Sequence, residues 1–301
     1  MARTVYLGTS EFAAAILRAL AASPHRPALV VTRPDRPRGR GRRLAAPPVA
    51  LAARELGLEL DQPESVNGEA ARARIAAAQP EAVVVCAFGA LIREPLLSGH
   101  PMLNVHPSLL PRWRGAAPIE RAIMAGDATT GVSIMRLTEG FDSGPVCLQA
   151  PEPIAPSDTY GSLSGRLQEL GARLLIEALA TAPPCAEQDE SDVTYAEKIT
   201  PDDRRLDPSR PADELERVVR ALHPHIGAQL ELPGGELLGV KEARAHPGRG
   251  APPGELAYVD GRPRLGCAEG TLELLTLQPA GRRAMSGEEY VRGRPAPPAV
   301  R

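Results

Sequence analysis

Apolar residues recur along this chain in two rhythms, and the change between them divides it. Up to about residue 180, short apolar runs alternate with stretches whose apolar positions fall three and four apart. Thr4-Val-Tyr-Leu7 reads as a strand. Glu11 to Ala22 reads as a helix with Phe12, Ile16, Leu17 and Leu20 on one face and Ser10 placed to cap it. Ala28 to Thr32 is a second strand, Pro48 to Gly57 a helix, Leu58-Glu-Leu60 a brief strand and Asn67 to Gln79 another helix. Within Glu81 to Ala87, the unbroken run Val83-Val-Val-Cys-Ala87 is that of a strand covered on both faces. This alternation predicts a doubly wound α/β domain.

Met102 to His106 reads as the end of another buried strand, and Pro118 to Ala125 as a helix that Gly126 stops. Gly131 to Leu137 and Pro145 to Leu148 form a predicted strand pair, joined by the turn Glu139-Gly-Phe-Asp-Ser-Gly144. Asp158 to Ala180 is a long amphipathic helix with Leu163, Leu167, Leu170 and Leu174 inward. From Ala182 to Ser191 the chain turns to proline and acid, the composition of a linker. One further helix follows, Pro211 to Leu222. Five short strands then lie between Gly/Pro turns: Gln229–Leu232, Leu237–Glu242, Gly254–Val259, Arg264–Cys267 and Thr271–Leu277. Their spacing predicts a small OB-like β-barrel. The expected organisation is a domain over 1–181, a linker over 182–203 and a second domain over 204–301.

Composition narrows the function classes. An apolar fraction of 43% supports a real core, and no run approaches a membrane span. The first residues enter a strand with no signal-peptide pattern, so the cytoplasm is the expected compartment. A net charge of −2 means that any nucleic-acid contact must come from local patches. Cys86, Cys147, Cys185 and Cys267 are far apart and lack ligand spacing, so the expectation is four free thiols and no metal. Gly8 lies outside any Gly-x-Gly-x-x-Gly pattern, which disfavours dinucleotide binding.

Chemistry concentrates in Asn104-Val-His-Pro-Ser-Leu-Leu-Pro-Arg-Trp-Arg-Gly115. Asn104 and His106 are two apart on a strand and share a face, with Val105 turned to the other side. Pro107 and Pro111 bar regular pairing, so the chain must leave the sheet as a rigid loop. In open α/β sheets, ligands bind beyond the carboxyl ends of strands, where this loop would sit. Taken singly, His106 reads better as a hydrogen-bonded loop histidine, and Asp142 as a carboxylate bonding its own turn.

Together, Asn104-x-His106, Ser108-Leu-Leu-Pro111, Arg114-Gly115 and Asp142 resemble the active-site signature of the folate-dependent formyltransferases. The longer run through Arg112-Trp-Arg-Gly-Ala-Ala-Pro118-Ile119 is similar to the branch that acts on methionyl-tRNA, as is Leu272 to Met285. The resemblance covers nearly the whole chain. It implies a Rossmann-like catalytic domain, an OB-like second domain, and formyl transfer from 10-formyltetrahydrofolate to the α-amine of methionyl-initiator tRNA. Nothing in the sequence demands a dimer, and a monomer is the expectation. By the same resemblance Asn104, His106 and Asp142 are catalytic, while Phe88, Gly89, Ser108, Leu109, Leu110 and Pro111 line the folate pocket.

The run Arg33-Pro-Asp-Arg-Pro-Arg-Gly-Arg-Gly-Arg-Arg43 resembles the loop with which this branch reaches the acceptor end of its tRNA. Arg36, Arg38, Arg40, Arg42 and Arg43 are the expected phosphate contacts there, with Arg282 and Arg283 in the second domain. A solvated charge run is the plainer reading of the same residues. The chain departs from the pattern at Pro107, where tRNA-acting members often carry glycine, and in His223-Pro-His-Ile-Gly-Ala228, which lacks a second proline. A formyltransferase for a small amine, or an inactive folate- or RNA-binding protein, are the competing readings.

Overall fold

The computed structural model describes residues 1–38, 41, 43–232, 234–248 and 250–294. Strand β1 (Thr4–Gly8) is buried from end to end because it lies inside a sheet, paired parallel with β2 (Pro27–Val31) on one side and β4 (Ala82–Cys86) on the other. β3 (Leu60–Asp61) continues beyond β2, while β5 (Met102–His106) continues beyond β4, both in parallel. β6 (Thr129–Arg136) then runs antiparallel to β5, and β7 (Val146–Pro153) closes that edge, giving the order β7-β6-β5-β4-β1-β2-β3. Strands leave β1 in both directions, so the sheet is doubly wound. The crevice at the carboxyl ends of β1 and β4 is the place where such sheets bind ligands. There Thr9 Oγ1 donates to the Phe88 carbonyl oxygen at 2.7 Å and ties the two strand ends together.

Helix α1 (Glu11–Ala21) buries the predicted Phe12, Ile16, Leu17 and Leu20, and Ser10 caps it by accepting from the Ala13 N–H. α2 (Pro48–Glu55) opens on a proline, whose missing N–H costs nothing in a first turn. α3 (Glu69–Ala77) is shorter than its sequence pattern. On the far face of β5, Val105 is 2% exposed, as its alternation requires.

Contacts group the chain into two units. The first comprises Met1–Gly115, Thr130–Pro153 and Ser164–Tyr195; the second comprises Ala116–Thr129, Ile154–Leu163 and Ala196–Arg301. Helix α4 (Pro118–Ala125) thus clusters with the later chain rather than with the α/β sheet. Its buried Glu120 meets His225 Nε2 at 2.9 Å, and Arg121 forms a two-pronged pair with Asp203 at 2.7 and 3.0 Å.

The stretch read as a linker also differs from its composition. Residues 182–195 pack within the first unit, where Val146 and Ala186 exchange backbone hydrogen bonds at 2.8 and 2.9 Å. Beside them Cys147 and Cys185 form a disulfide, which corrects the expectation of four free thiols. The 38 residues between them hid the pairing, since only the fold lays this stretch against β7. Cys86 and Cys267 are free and buried.

The second unit is built on α5 (Ala212–Leu222), whose Leu215, Val218, Val219 and Leu222 share one core with Leu230, Leu238, Val240, Leu272, Leu274 and Leu277. Its strands β8 (Ala228–Glu231), β9 (Leu237–His246), β10 (Leu256–Val259), β11 (Arg262–Gly266) and β12 (Thr271–Gln278) pair antiparallel in the order β8-β9-β12-β11-β10. The register of β9 on β12 shifts around Lys241, a bulge that bends a ten-residue strand. β13 (Met285–Ser286) adds to β12, and the last helix starts at Gly287 with a capping box between Ser286 and Glu289.

Candidate active site

The register of β5 places the site. Asn104 stands between Val85 on β4 and Met135 on β6, and His106 stands opposite Ser133. Both side chains lie on one face at the carboxyl end of the sheet and are buried, at 8% and 4% exposure.

Beyond β5 the chain folds back over them. His106 Nε2 lies 2.9 Å from the Trp113 carbonyl oxygen. A carbonyl only accepts, so this nitrogen carries the proton and the ring is fixed with Nδ1 on the other side. That nitrogen faces Asp142 Oδ2 at 3.5 Å. Asn104 Nδ2 donates to Asp142 Oδ1 at 3.2 Å, and the Gly115 N–H donates to Oδ2 at 2.9 Å. An amide, an imidazole and a carboxylate from distant chain segments therefore meet. The loop geometry that brings them together is unusual: Trp113 and Asp142 have φ of 63° and 45°, and Gly115 has φ of 121°. Non-glycine residues hold such backbone angles only where their surroundings fix them, and they gather at functional sites.

The residues expected at a pterin follow the carboxyl ends of β4 and β5. Phe88 is buried, and Gly89, with φ of 72°, follows directly after β4. Ser108 has no exposed surface, and its hydroxyl donates to the Arg112 carbonyl oxygen at 2.6 Å. Ser133 Oγ donates to the Ser108 carbonyl and accepts from the Leu110 N–H, while Gln149 Nε2 donates to the Leu110 carbonyl. These bonds hold the Ser108–Pro111 loop to β6 and β7. Gly131 lets it approach: a Cβ there would lie 2.5 Å from Leu109 Cδ2 and 2.2 Å from the Ala150 carbonyl oxygen. Leu110 is 6% exposed, and Leu109 and Pro111 are half-buried.

A second set is built on Arg114, which the sequence offered only as part of the signature, and its partners Gln188 and Glu190 were missed. Arg114 is 3% exposed, and its guanidinium donates from Nε to Gln188 Oε1 at 3.0 Å and from its Nη atoms to the Glu190 carboxylate at 2.7 and 3.2 Å. Gln188 Nε2 donates onward to the Asp142 and Gly144 carbonyl oxygens at 2.8 and 2.7 Å. The hydrogen bond between Arg114 and Glu190 lifts the arginine above its ordinary range and holds the glutamate below its own. The proline and acid of 182–191 read as a linker, and only a spatial neighbour, Arg114, reveals the use of Gln188 and Glu190.

The arginine run is a short hairpin, with Arg36–Arg38 pairing antiparallel to Arg43–Ala45. Arg36 and Arg43 are exposed, and neither has an ion-pair partner among the described residues. Arg40 and Arg42 lie outside the described residues, and of Arg38 only the backbone is described. Arg33 at the hairpin base donates to the Gly89 carbonyl oxygen at 3.1 Å. Arg282 and Arg283 are exposed in the turn after β12. Among the described residues there is no group of side chains suited to a metal ion, and no helix is long and apolar enough to cross a membrane.

Comparison with known proteins identifies the family. The formyl transferase profile matches residues 2–179, and the formyl transferase C-terminal domain profile matches 198–295. The chain belongs to the formyl transferase family. It is 46% identical to the methionyl-tRNA formyltransferase of Halorhodospira halophila, over 97% of this chain and 96% of that protein. Among solved structures, HypX from Aquifex aeolicus in complex with tetrahydrofolic acid superposes with a TM-score of 0.66 at 17% identity. That match covers 97% of this chain but only 47% of HypX. The sugar 3N-formyl transferase WlaRD superposes with a TM-score of 0.65 at 12% identity, over 94% of this chain and 99% of that one. These two likenesses establish the fold of this formyl transferase.

Proposed function

We propose that this formyl transferase moves a formyl group from 10-formyltetrahydrofolate to the α-amine of methionyl-initiator tRNA, acting as a monomer in the cytoplasm. The observation that carries the reading is the meeting of Asn104, His106 and Asp142 at the carboxyl end of β5. It occurs in a chain 46% identical, over nearly its whole length, to a methionyl-tRNA formyltransferase.

The residues beside the triad suit a folate. Phe88, Gly89 and the Ser108–Pro111 loop offer apolar walls at the strand ends, with the loop's own polar groups already bonded inside the protein. When bound, the folate supplies the formyl group on N10. What remains is to take up charge and protons around that carbon. Asn104 spends one of its two amide hydrogens on Asp142, and the second is the donor we assign to the negative charge growing on the formyl oxygen. The α-amine must attack unprotonated, and such amines titrate near pH ~8. Asp142 takes the proton that the amine sheds on attack. Asp142 hands that proton to His106 at Nδ1, the nitrogen facing it, and His106 passes it on to the departing N10 while its Nε2–H stays on the Trp113 carbonyl. No covalent enzyme intermediate is needed, which leaves Ser108 free for the structural bond it makes.

Residues 1–181 form the catalytic domain in this reading, and 204–301 a second domain that meets tRNA, with Arg282 and Arg283 near phosphate. The test is formyl transfer from 10-formyltetrahydrofolate to methionine charged on initiator tRNA, with elongator methionyl-tRNA and amino-sugar nucleotides as controls. Turnover of initiator methionyl-tRNA far above both controls is expected. Equal or better turnover of a small amine would replace this reading with a small-amine formyltransferase.

A further inference from the structure

We propose that Gln188 is the positioning residue for the Asp142 carboxylate, an inference that rests on the formyl-transfer reading above. Asp142 is not glycine, yet its φ is 45°. Aspartate visits that region more readily than most L-residues, but nothing in its own chemistry fixes this one turn, so the orientation of the carboxylate depends on what bonds the turn from outside. Its side chain is fixed by Asn104 and Gly115, but its backbone is fixed by Gln188. Both hydrogens of the Gln188 amide have an acceptor: Nε2 lies 2.8 Å from the Asp142 carbonyl oxygen and 2.7 Å from that of Gly144, spanning the turn.

The direction of that amide is imposed by Arg114. A guanidinium has only donors, so Gln188 must turn Oε1 toward Arg114 Nε at 3.0 Å, which leaves the NH2 group facing the turn. Arg114 is oriented in turn by Glu190, at 2.7 and 3.2 Å. The segment bearing Gln188 and Glu190 is itself fastened at both ends. At one end stand the Cys147–Cys185 disulfide and the Val146–Ala186 backbone pair. At the other, Thr194 accepts from the Trp113 N–H through Oγ1 and from the Arg114 N–H through its carbonyl, each at 2.9 Å. One strap thereby clamps the two turns that hold the catalytic side chains: Trp113–Gly115, which bonds His106 and Asp142, and Asp142–Gly144. Its side-chain bonds run to these turns, so Gln188 acts through Asp142.

The test compares Gln188→Glu and Glu190→Ala with the parent enzyme in steady-state formylation across pH, with KM measured for both substrates. The glutamate keeps the shape of Gln188 and can still accept from Arg114, but it sets a carboxylate against two carbonyl oxygens. The expected result is a fall in kcat of about ten- to hundredfold, the scale of a catalytic group displaced by an ångström. KM for folate and for tRNA should stay within about twofold, and the acid limb of the kcat profile should move. Glu190→Ala should show a smaller fall with the same displaced limb. Because Glu190 is exposed, that variant decides the matter even if Gln188→Glu does not fold. Unchanged kcat and pH profile in Glu190→Ala and in a folded Gln188→Glu would overturn the proposal, as would a change confined to KM. A parent enzyme unable to formylate methionyl-tRNA would instead sink the functional reading itself.

Discussion

The Gly115 N–H donates to the Asp142 carboxylate at 2.9 Å across 27 residues of chain. The bond joins the loop that leaves β5 to the turn that follows β6, and it leaves Oδ1 for Asn104 and the edge of Oδ2 for His106. Charge and shape at this carboxylate are therefore shared among three partners, and any change there is felt by all of them.

Removing one member should cost rate rather than fold. Asn104→Ala deletes the donor assigned to the formyl oxygen, and loss of such a donor lowers rates about 10²–10³-fold. Asp142→Asn keeps the shape but cannot take the amine's proton, and positioned bases are worth about 10²–10⁴-fold. Single-turnover formylation by folded variants measures both. Rates near those of the parent would end the assignment of these residues.

Much of this was legible in the sequence because the rhythms are strong. Val83-Val-Val-Cys-Ala87 is the β-branched apolar run expected of a central parallel strand, and the two-residue period of β5 places Asn104 and His106 on one face. What stayed hidden depends on partners distant in the chain. Nothing near Gln188 says that it faces Arg114, 74 residues earlier, and the proline and acid around it read as a linker. Helix α4 shows the same limit, since its residues match a continuous first domain until Glu120 is seen against His225.

The cysteines give a direct check on the strap. Burial pushes the Cys86 thiol up to about 12 and the Cys267 thiol up to about 11, so both should be unreactive in the folded protein. Alkylation after denaturation without reductant should modify only these two, and all four cysteines after reduction. Cys147→Ser should lower stability by roughly 2–4 kcal/mol, the usual loss for a bridge closing a loop of this order. Four reactive thiols in unreduced, denatured protein would contradict the bridge.

Acid should unfasten the second unit at a definite place. The Arg121 hydrogen bonds hold the Asp203 carboxyl at about 2, below its ordinary 3.8, assisted by the Thr200 N–H and hydroxyl. A carboxyl depressed on folding stabilises above its unfolded pKa, and the gain disappears as pH falls from about 4 to about 2. The shift amounts to about 2 kcal/mol. Asp203→Asn should accordingly be less stable than the parent by up to about that amount at pH 7, and equal to it near pH 2. Denaturant unfolding across this range provides the measurement, and a gap independent of pH would rule the pair out as its source.

The hairpin arginines make a prediction about salt. Arg36 and Arg43 project from paired strands, exposed and without acidic partners among the described residues, so each is available to a phosphate. Contacts of this kind release condensed counterions, and binding then weakens with salt by a slope of roughly 0.7–0.9 per phosphate neutralised. The parent enzyme should bind tRNA with a steep dependence of log K on log salt. Arg36→Ala with Arg43→Ala should flatten that slope by about two contacts, while leaving folate affinity in place. Because these residues lie outside the catalytic group, kcat at saturating tRNA should change little and the loss should fall on KM. An unchanged slope in the double variant would show that the hairpin does not carry the RNA backbone, and that the phosphate contacts lie elsewhere.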